Sequence, residues 1–187
     1  MANLSIKTGT ISRSMLVGNP PFQPGAFESI ATLTGDGSSG TITFSSIPAT
    51  YKHLQIRGIY NDGGYNMRLR FNADAGANYT RHTVISTGSA ISASAGTSQN
   101  DLDLISYGGS GANNVSACII DILDYSATSK NKTVRAFNGY VESISAQVVF
   151  LSSGLWANTN AINSISILNL YGSYNTQTVF SLYGIKG

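Results

Sequence analysis

The sequence predicts an all-β fold: an antiparallel β-sandwich, jelly-roll-like in type, preceded by an extended N-terminal arm. Three observations predict it. From Glu28 onward short apolar runs alternate with clusters of Gly, Ser and Asn. Several of these runs show the period of two expected of a half-buried strand, and no stretch carries a convincing helical period. Regular short strands with turn signals favour antiparallel sheets over a parallel sheet, whose crossovers need helices. At 187 residues the chain is long enough for one substantial core and too short for two full-sized domains. The expected division is an arm over residues 1–27 and a sandwich over residues 28–187.

The arm comes first. Gly18-Asn-Pro-Pro-Phe-Gln-Pro-Gly25 holds three of the four prolines. Proline fixes its own φ and pushes the preceding residue toward extended conformations, which argues for an extended segment and against a helix. Met15, Leu16, Val17, Phe22 and Phe27 give the arm apolar anchors, each costing about 1.5 to 3 kcal/mol to leave in water. They serve either to cap the domain's own core or to dock on a neighbouring subunit.

The strands follow in order. Ile30-Ala-Thr-Leu-Thr34 and Gly40-Thr-Ile-Thr-Phe-Ser45 flank Gly35-Asp-Gly-Ser-Ser39, a pattern that reads as a hairpin with a glycine-rich loop. Ser45-Ser-Ile-Pro48 ends a strand, because Pro48 lacks the N–H an interior ladder position needs. In the next strand Leu54, Ile56 and Tyr60 share one face, while His53, Gln55 and Arg57 lie on the other. Met67, Leu69 and Phe71 alternate with Arg68 and Arg70, which predicts a strand solvated on one side. Further strands are expected at 81–86, 101–106, 115–123, 132–138, 145–151, 162–170 and 178–185. Asp124-Tyr-Ser-Ala-Thr-Ser-Lys130 suits a loop better than a helical turn. Residues 86–98 and 107–114 are runs of small residues that read as long surface loops.

Composition narrows the function. Charged residues make up 11% of the chain, against about 25% for a typical soluble domain. Neutral polar residues fill the gap, which suits a secreted protein or a subunit packed into a large assembly. The net charge is +2 and the eleven cations are dispersed, whereas neutralising several phosphates needs clustered ones, so no nucleic-acid partner is expected. The single cysteine, Cys118, lies in an apolar run and is expected to be buried; it rules out a disulfide framework within one chain and cysteine-type zinc ligation. The N-terminus lacks an apolar signal region and no run of eighteen apolar residues occurs. The expectation is a chain neither membrane-spanning nor signal-directed.

Few residues suggest chemistry. Asn72-Ala-Asp-Ala-Gly-Ala-Asn-Tyr79 spaces oxygen ligands like the start of a calcium loop, but Ala77 and Thr83 stand where that pattern needs Gly and Glu. The expectation is a connecting loop in which Asn72 and Asp74 bond nearby backbone and Gly76 supplies an unusual φ. Only His53 and His82 could serve a serine nucleophile, and no Gly-x-Ser-x-Gly elbow accompanies them. Asp101 and Asp103 superficially resemble a glycosidase pair, but two acids on a solvated strand face are far commoner, and Asp121 and Asp124 read the same way. His53 is expected without a carboxylate beside it. The chain is therefore expected to be no enzyme and to hold no metal or cofactor. Ten tyrosines and one tryptophan could build a sugar platform, with Trp156 the first residue to test, or could equally pack sheets and subunit interfaces.

A series of segments adds to this reading. Phe27-Glu-Ser-Ile-Ala31, residues 42–57, Leu69-Arg-Phe-Asn-Ala-Asp-Ala-Gly-Ala-Asn-Tyr79, Ile119-Ile-Asp-Ile-Leu-Asp-Tyr125 with Lys130-Asn-Lys-Thr133, Ser152-Ser-Gly-Leu-Trp156, Ala161-Ile-Asn-Ser-Ile165 and Phe180-Ser-Leu-Tyr-Gly-Ile-Lys186 together resemble a family of tailed-bacteriophage virion proteins. The resemblance implies a β-sandwich structural protein assembled in the bacterial cytoplasm and exposed on the particle, and it supplies no catalytic residues. Two roles compete within it. One is a head decoration or cement protein, in which the sandwich forms a trimeric knob and the arm threads against the major capsid protein or other virion subunits. The other is a tail-fibre or adaptor module that meets host glycans through residues 86–98, 107–114 and Trp156. The absence of a coiled-coil or repetitive shaft favours decoration.

Overall fold

The computed structural model describes residues 26–61, 66–107, 115–143 and 146–187. Met15, Leu16, Val17 and Phe22 of the expected arm, and most of the expected loop at 107–114, lie outside them. Twelve strands are described: β1 (Phe27–Thr34), β2 (Thr41–Phe44), β3 (His53–Tyr60), β4 (Asn66–Phe71), β5 (Tyr79–Ser86), β6 (Ile91–Gln99), β7 (Leu102–Tyr107), β8 (Ser116–Leu123), β9 (Lys132–Ser143), β10 (Ala146–Trp156), β11 (Ile165–Asn169) and β12 (Val179–Ile185). No helix occurs among the described residues.

The strands form two antiparallel sheets packed as a sandwich. The larger has eight strands in the order β1-β12-β3-β8-β9-β10-β5-β6, and the smaller has four in the order β2-β11-β4-β7. A jelly roll takes eight strands as two Greek keys; the division here is eight and four. Between the sheets lies one core, to which β4 gives Met67, Leu69 and Phe71, β3 gives Leu54, Ile56 and Tyr60, and β8 gives Cys118, Ile120 and Ile122. The period-two patterns read from the sequence therefore point inward as expected.

Close packing explains particular glycines. A Cβ on Gly58 of β3 would stand 2.3 Å from the Phe180 ring, and one on Gly184 of β12 would stand 2.3 Å from the Tyr51 ring. Each glycine leaves room for an aromatic ring where a Cβ would stand.

Three expectations are corrected. The segment at 35–39 is no hairpin loop: β1 pairs with β12 in the large sheet, and β2 pairs with β11 in the small one. It crosses between sheets, held by Gly35 N–H donating to Thr178 O and Gly37 N–H to Tyr174 O, both at 2.9 Å. A hairpin and a crossover of this length carry the same turn residues, so only long-range pairing separates them. Residues 91–99, read as loop, form the edge strand β6 against β5. Its small residues give no apolar alternation because both faces are largely exposed. Phe27, assigned to the arm, begins β1 opposite Ile185.

Candidate interaction surface

The outer face of the eight-stranded sheet gathers most of the exposed large apolar side chains among the described residues. Register places Ile119 of β8 beside Phe137 of β9, Phe137 beside Leu151 of β10, and Leu151 beside Val84 of β5. These four directly neighbouring side chains are 42%, 57%, 58% and 39% exposed. The adjacent row adds Ile59 of β3, Val149 of β10 and Ile91 of β6, all exposed. The row on the other side is polar: Gln55, Asp121, Arg135, Ser153 and His82 follow one another across β3, β8, β9, β10 and β5. Gln55 donates to Asp121 at 2.8 Å and accepts from Arg57 Nε at 2.8 Å. The Arg57 guanidinium also lies over the rings of Phe27 and Tyr183, at 5.9 and 5.7 Å, so Phe27 joins the margin of this face.

An apolar surface continuous across several strands is expensive in water, and such surfaces mark association sites. Its residues were missed in the sequence, although a signal was present. Ile119-Ile120 and Val148-Val149-Phe150-Leu151 place apolar side chains at successive strand positions, which puts them on both faces.

Residues with reactive side chains have other partners. Trp156 is 1% exposed and stacks on Tyr79, with Phe71 tilted against it; its N–H donates to Asp74 Oδ2 at 2.8 Å. Its ring face is thus closed to a sugar, which corrects its candidacy as a glycan platform. Asp74 also accepts from Gly76 N–H and from Asn78, and the Trp156 bond followed by these holds its carboxyl below the usual range. Asn72 accepts from the backbone N–H groups of Asn163 and Ser164, as a loop-bonding role predicts. The left-handed backbone falls on Asn72 and Ala73, with φ of 51° and 56°, and not on Gly76.

The acids are not simply solvated. Asp101 is buried, with Arg68 at 3.1 Å and Arg70 at 3.4 Å. Asp103 faces Arg81 at 3.8 Å, and burial pushes its carboxyl up. Arg81 and Asp103 line a cleft of about 210 Å³ with Asn66, Thr83 and Ser94. Each acid of the supposed glycosidase pair is thus engaged by guanidinium groups, Asp101 by Arg68 and Arg70 and Asp103 by Arg81. His53 does have a carboxylate near it, contrary to expectation: its Nδ1 accepts the Asp124 backbone N–H at 2.9 Å, with Asp124 Oδ1 at 3.7 Å. The turn after β8 causes this, since it folds Asp124 back over the start of β3. Hydrogen bonds from Lys130 and Lys52 lower the Asp124 carboxyl to about 2. Among the described residues no three His, Cys, Asp or Glu side chains gather as metal ligands.

Comparison with family models, with curated proteins and with solved structures found no match.

Proposed function

We propose that this chain is a structural protein of a bacteriophage virion, in the role of a capsid decoration or cement protein. It stabilises the head through its N-terminal arm and through contacts with neighbouring subunits on the particle exterior. The observation that carries this reading is the uncovered apolar face of the eight-stranded sheet. A subunit that works by burial needs such a surface, because apolar area removed from water contributes about 25 cal/mol per Å². The resemblance of the segments spanning β1 to β12 supports the virion setting, and the low charge content suits a packed assembly. Its partners are the major capsid protein or other virion subunits and further copies of itself. Several cations are engaged with acids in the fold, including Arg68, Arg70, Arg81, Lys52, Lys130 and Lys186, which disfavours a phosphate-binding stripe. The tail-fibre reading loses Trp156 as its aromatic platform, and no observation raises it above decoration.

Deletion of residues 1–25 tests the role, with the cut placed before Phe27 because that residue pairs in β1. The truncated chain should keep its β circular dichroism and stop co-sedimenting with expanded capsids of its phage; undiminished binding sinks the cement role. Quantifying copies per particle separates head from tail: hundreds mean decoration, a few dozen or fewer mean tail.

A further inference from the structure

We propose that the outer face of the eight-stranded sheet packs against the same face of a second copy of this chain, about a two-fold axis that runs along the strands between β9 and β10. The inference goes beyond the virion role and does not depend on it, and it sets a two-fold pair in place of the trimer that the family resemblance implies. Its basis is the placement of apolar side chains about that line. Counting outward from it, β9 is matched by β10, β8 by β5 and β3 by β6. Within one register row Phe137 is matched by Leu151 and Ile119 by Val84, and the row ends on Arg57 of β3 and Ala93 of β6. In the next row Ile59 of β3 is matched by Ile91 of β6, along Ala117, Gly139, Val149 and Ser86. A two-fold rotation about an axis parallel to the strands keeps each row in place and exchanges its two halves. Phe137 of each copy then meets Leu151 of the other, Ile119 meets Val84, and Ile59 meets Ile91.

The rotation exchanges the polar row in the same way: Asp121 of β8 meets His82 of β5, Arg135 meets Ser153, and Gln55 meets Ala95, so no pair of like charges is opposed. The apolar rows form a centre and this row a polar margin, the usual anatomy of an association surface. Size agrees as well. Six strands about 4.8 Å apart, each with eight residues at about 3.3 Å, cover roughly 750 Å², close to the ~800 Å² per partner of a stable interface. The resulting arrangement is an aligned packing of two sheets, the geometry open to any twisted pair.

The test uses the full chain in light-scattering chromatography at micromolar concentration. Wild type should have about twice the 19.7 kDa chain mass. Ile119→Lys alone and Val84→Glu alone should each give the monomer, with unchanged circular dichroism because both positions are exposed. The double variant Ile119→Lys/Val84→Glu should restore the dimer, since each lysine then meets a glutamate of the other copy. Within one chain the two positions lie three strands apart, roughly 14 Å, too far for internal rescue. A monomeric wild type, a three-copy mass, single variants that stay dimeric, or a double variant that stays monomeric would each overturn the proposal. So would a chain that dimerises only after residues 1–25 are removed, which would mean that its own N-terminal segment covers the face. Capsid co-sedimentation is scored separately: a dimer that ignores capsids leaves this inference standing and defeats the cement role, and a capsid-binding monomer does the reverse.

Discussion

The indole N–H of Trp156 donates to the Asp74 carboxylate at 2.8 Å and ties the last residue of β10 to the turn between β4 and β5. Two further donors, Gly76 N–H at 2.8 Å and Asn78 Nδ2 at 3.0 Å, also bond the carboxylate, and the Asn158 side chain adds to them. Hydrogen bonds to charged groups contribute about 1.5–3 kcal/mol each to stability. Asp74→Ala should therefore lower the urea unfolding free energy by about 2–3 kcal/mol. Trp156→Ala should cost more, about 3–5 kcal/mol, because it also empties the space between Tyr79 and Phe71. Native Trp156 emission should be blue-shifted and resist acrylamide quenching; ready quenching would show that the ring is not enclosed.

Arg68 and Arg70 together neutralise a carboxylate whose side chain is 6% exposed. Removing both partners strands a buried charge, and losses of about 3–5 kcal/mol are typical of that change. The Arg68→Ala/Arg70→Ala variant should lose about that much in urea unfolding. Adding Asp101→Asn should recover part of the loss, because the stranded charge is then gone. If the triple variant is no more stable than the double, the ion pairing is not what the arginines supply.

Much of the fold was legible in the sequence. Met67, Leu69 and Phe71 alternate with two arginines, and an alternation that strict has one solution as a half-buried strand. The inner face of β3 was readable for the same reason. What escaped depends on distant partners. Residues 35–39 carry hairpin chemistry, yet they cross between sheets because β12 and β11 claim the flanking strands. Strand β6 is an edge of Ser, Ala and Thr, with no apolar period to announce it. Asp101 gave no sign of burial, since its partners lie over thirty positions earlier in the chain. Of the candidate surface, the apolar doublets were visible but their joining into rows was not, because a row is a product of register across six strands.

Two carboxylates should push the pH dependence in opposite directions. In the folded chain Lys130 and Lys52 pull Asp124 down to about 2, below the ~3.9 of an unperturbed aspartate. The unfolded chain then binds the proton more readily, so this contribution is present above about pH 4 and is lost as pH falls toward 2. Asp124→Asn should flatten that part of the acid limb in urea midpoints taken from pH 2 to 6. High salt should shrink the effect, because Lys52 and Lys130 are more than half exposed. Burial raises Asp103 instead, so the folded chain binds its proton more readily and stability falls as pH rises through that raised value. Asp103→Asn should remove this opposing slope. Identical acid limbs in wild type and both variants would contradict the two assignments.

Cys118 lies on the inner face of β8 beside Gly58, and burial pushes its thiol up to about 12. The thiolate is the reactive form, so at pH 8 the folded protein should leave Ellman's reagent almost untouched, while urea-unfolded chain reacts in full. The same row tests the packing. A Cβ at position 58 would lie 2.3 Å from the Phe180 ring and 3.2 Å from Cys118 Sγ, and overpacking of this kind typically costs about 1–3 kcal/mol. Gly58→Ala should lower stability by that amount. Because each 1.4 kcal/mol is a tenfold change in the unfolded population, it should raise the native-state labelling rate by about tenfold where labelling follows global unfolding. Ile59→Ala, one position on and pointing outward, should leave the monomer's labelling rate near that of wild type. Prompt labelling of the wild-type thiol, or equal rates in the two variants, would mean that Cys118 is reached without unfolding the core around Gly58 and Phe180.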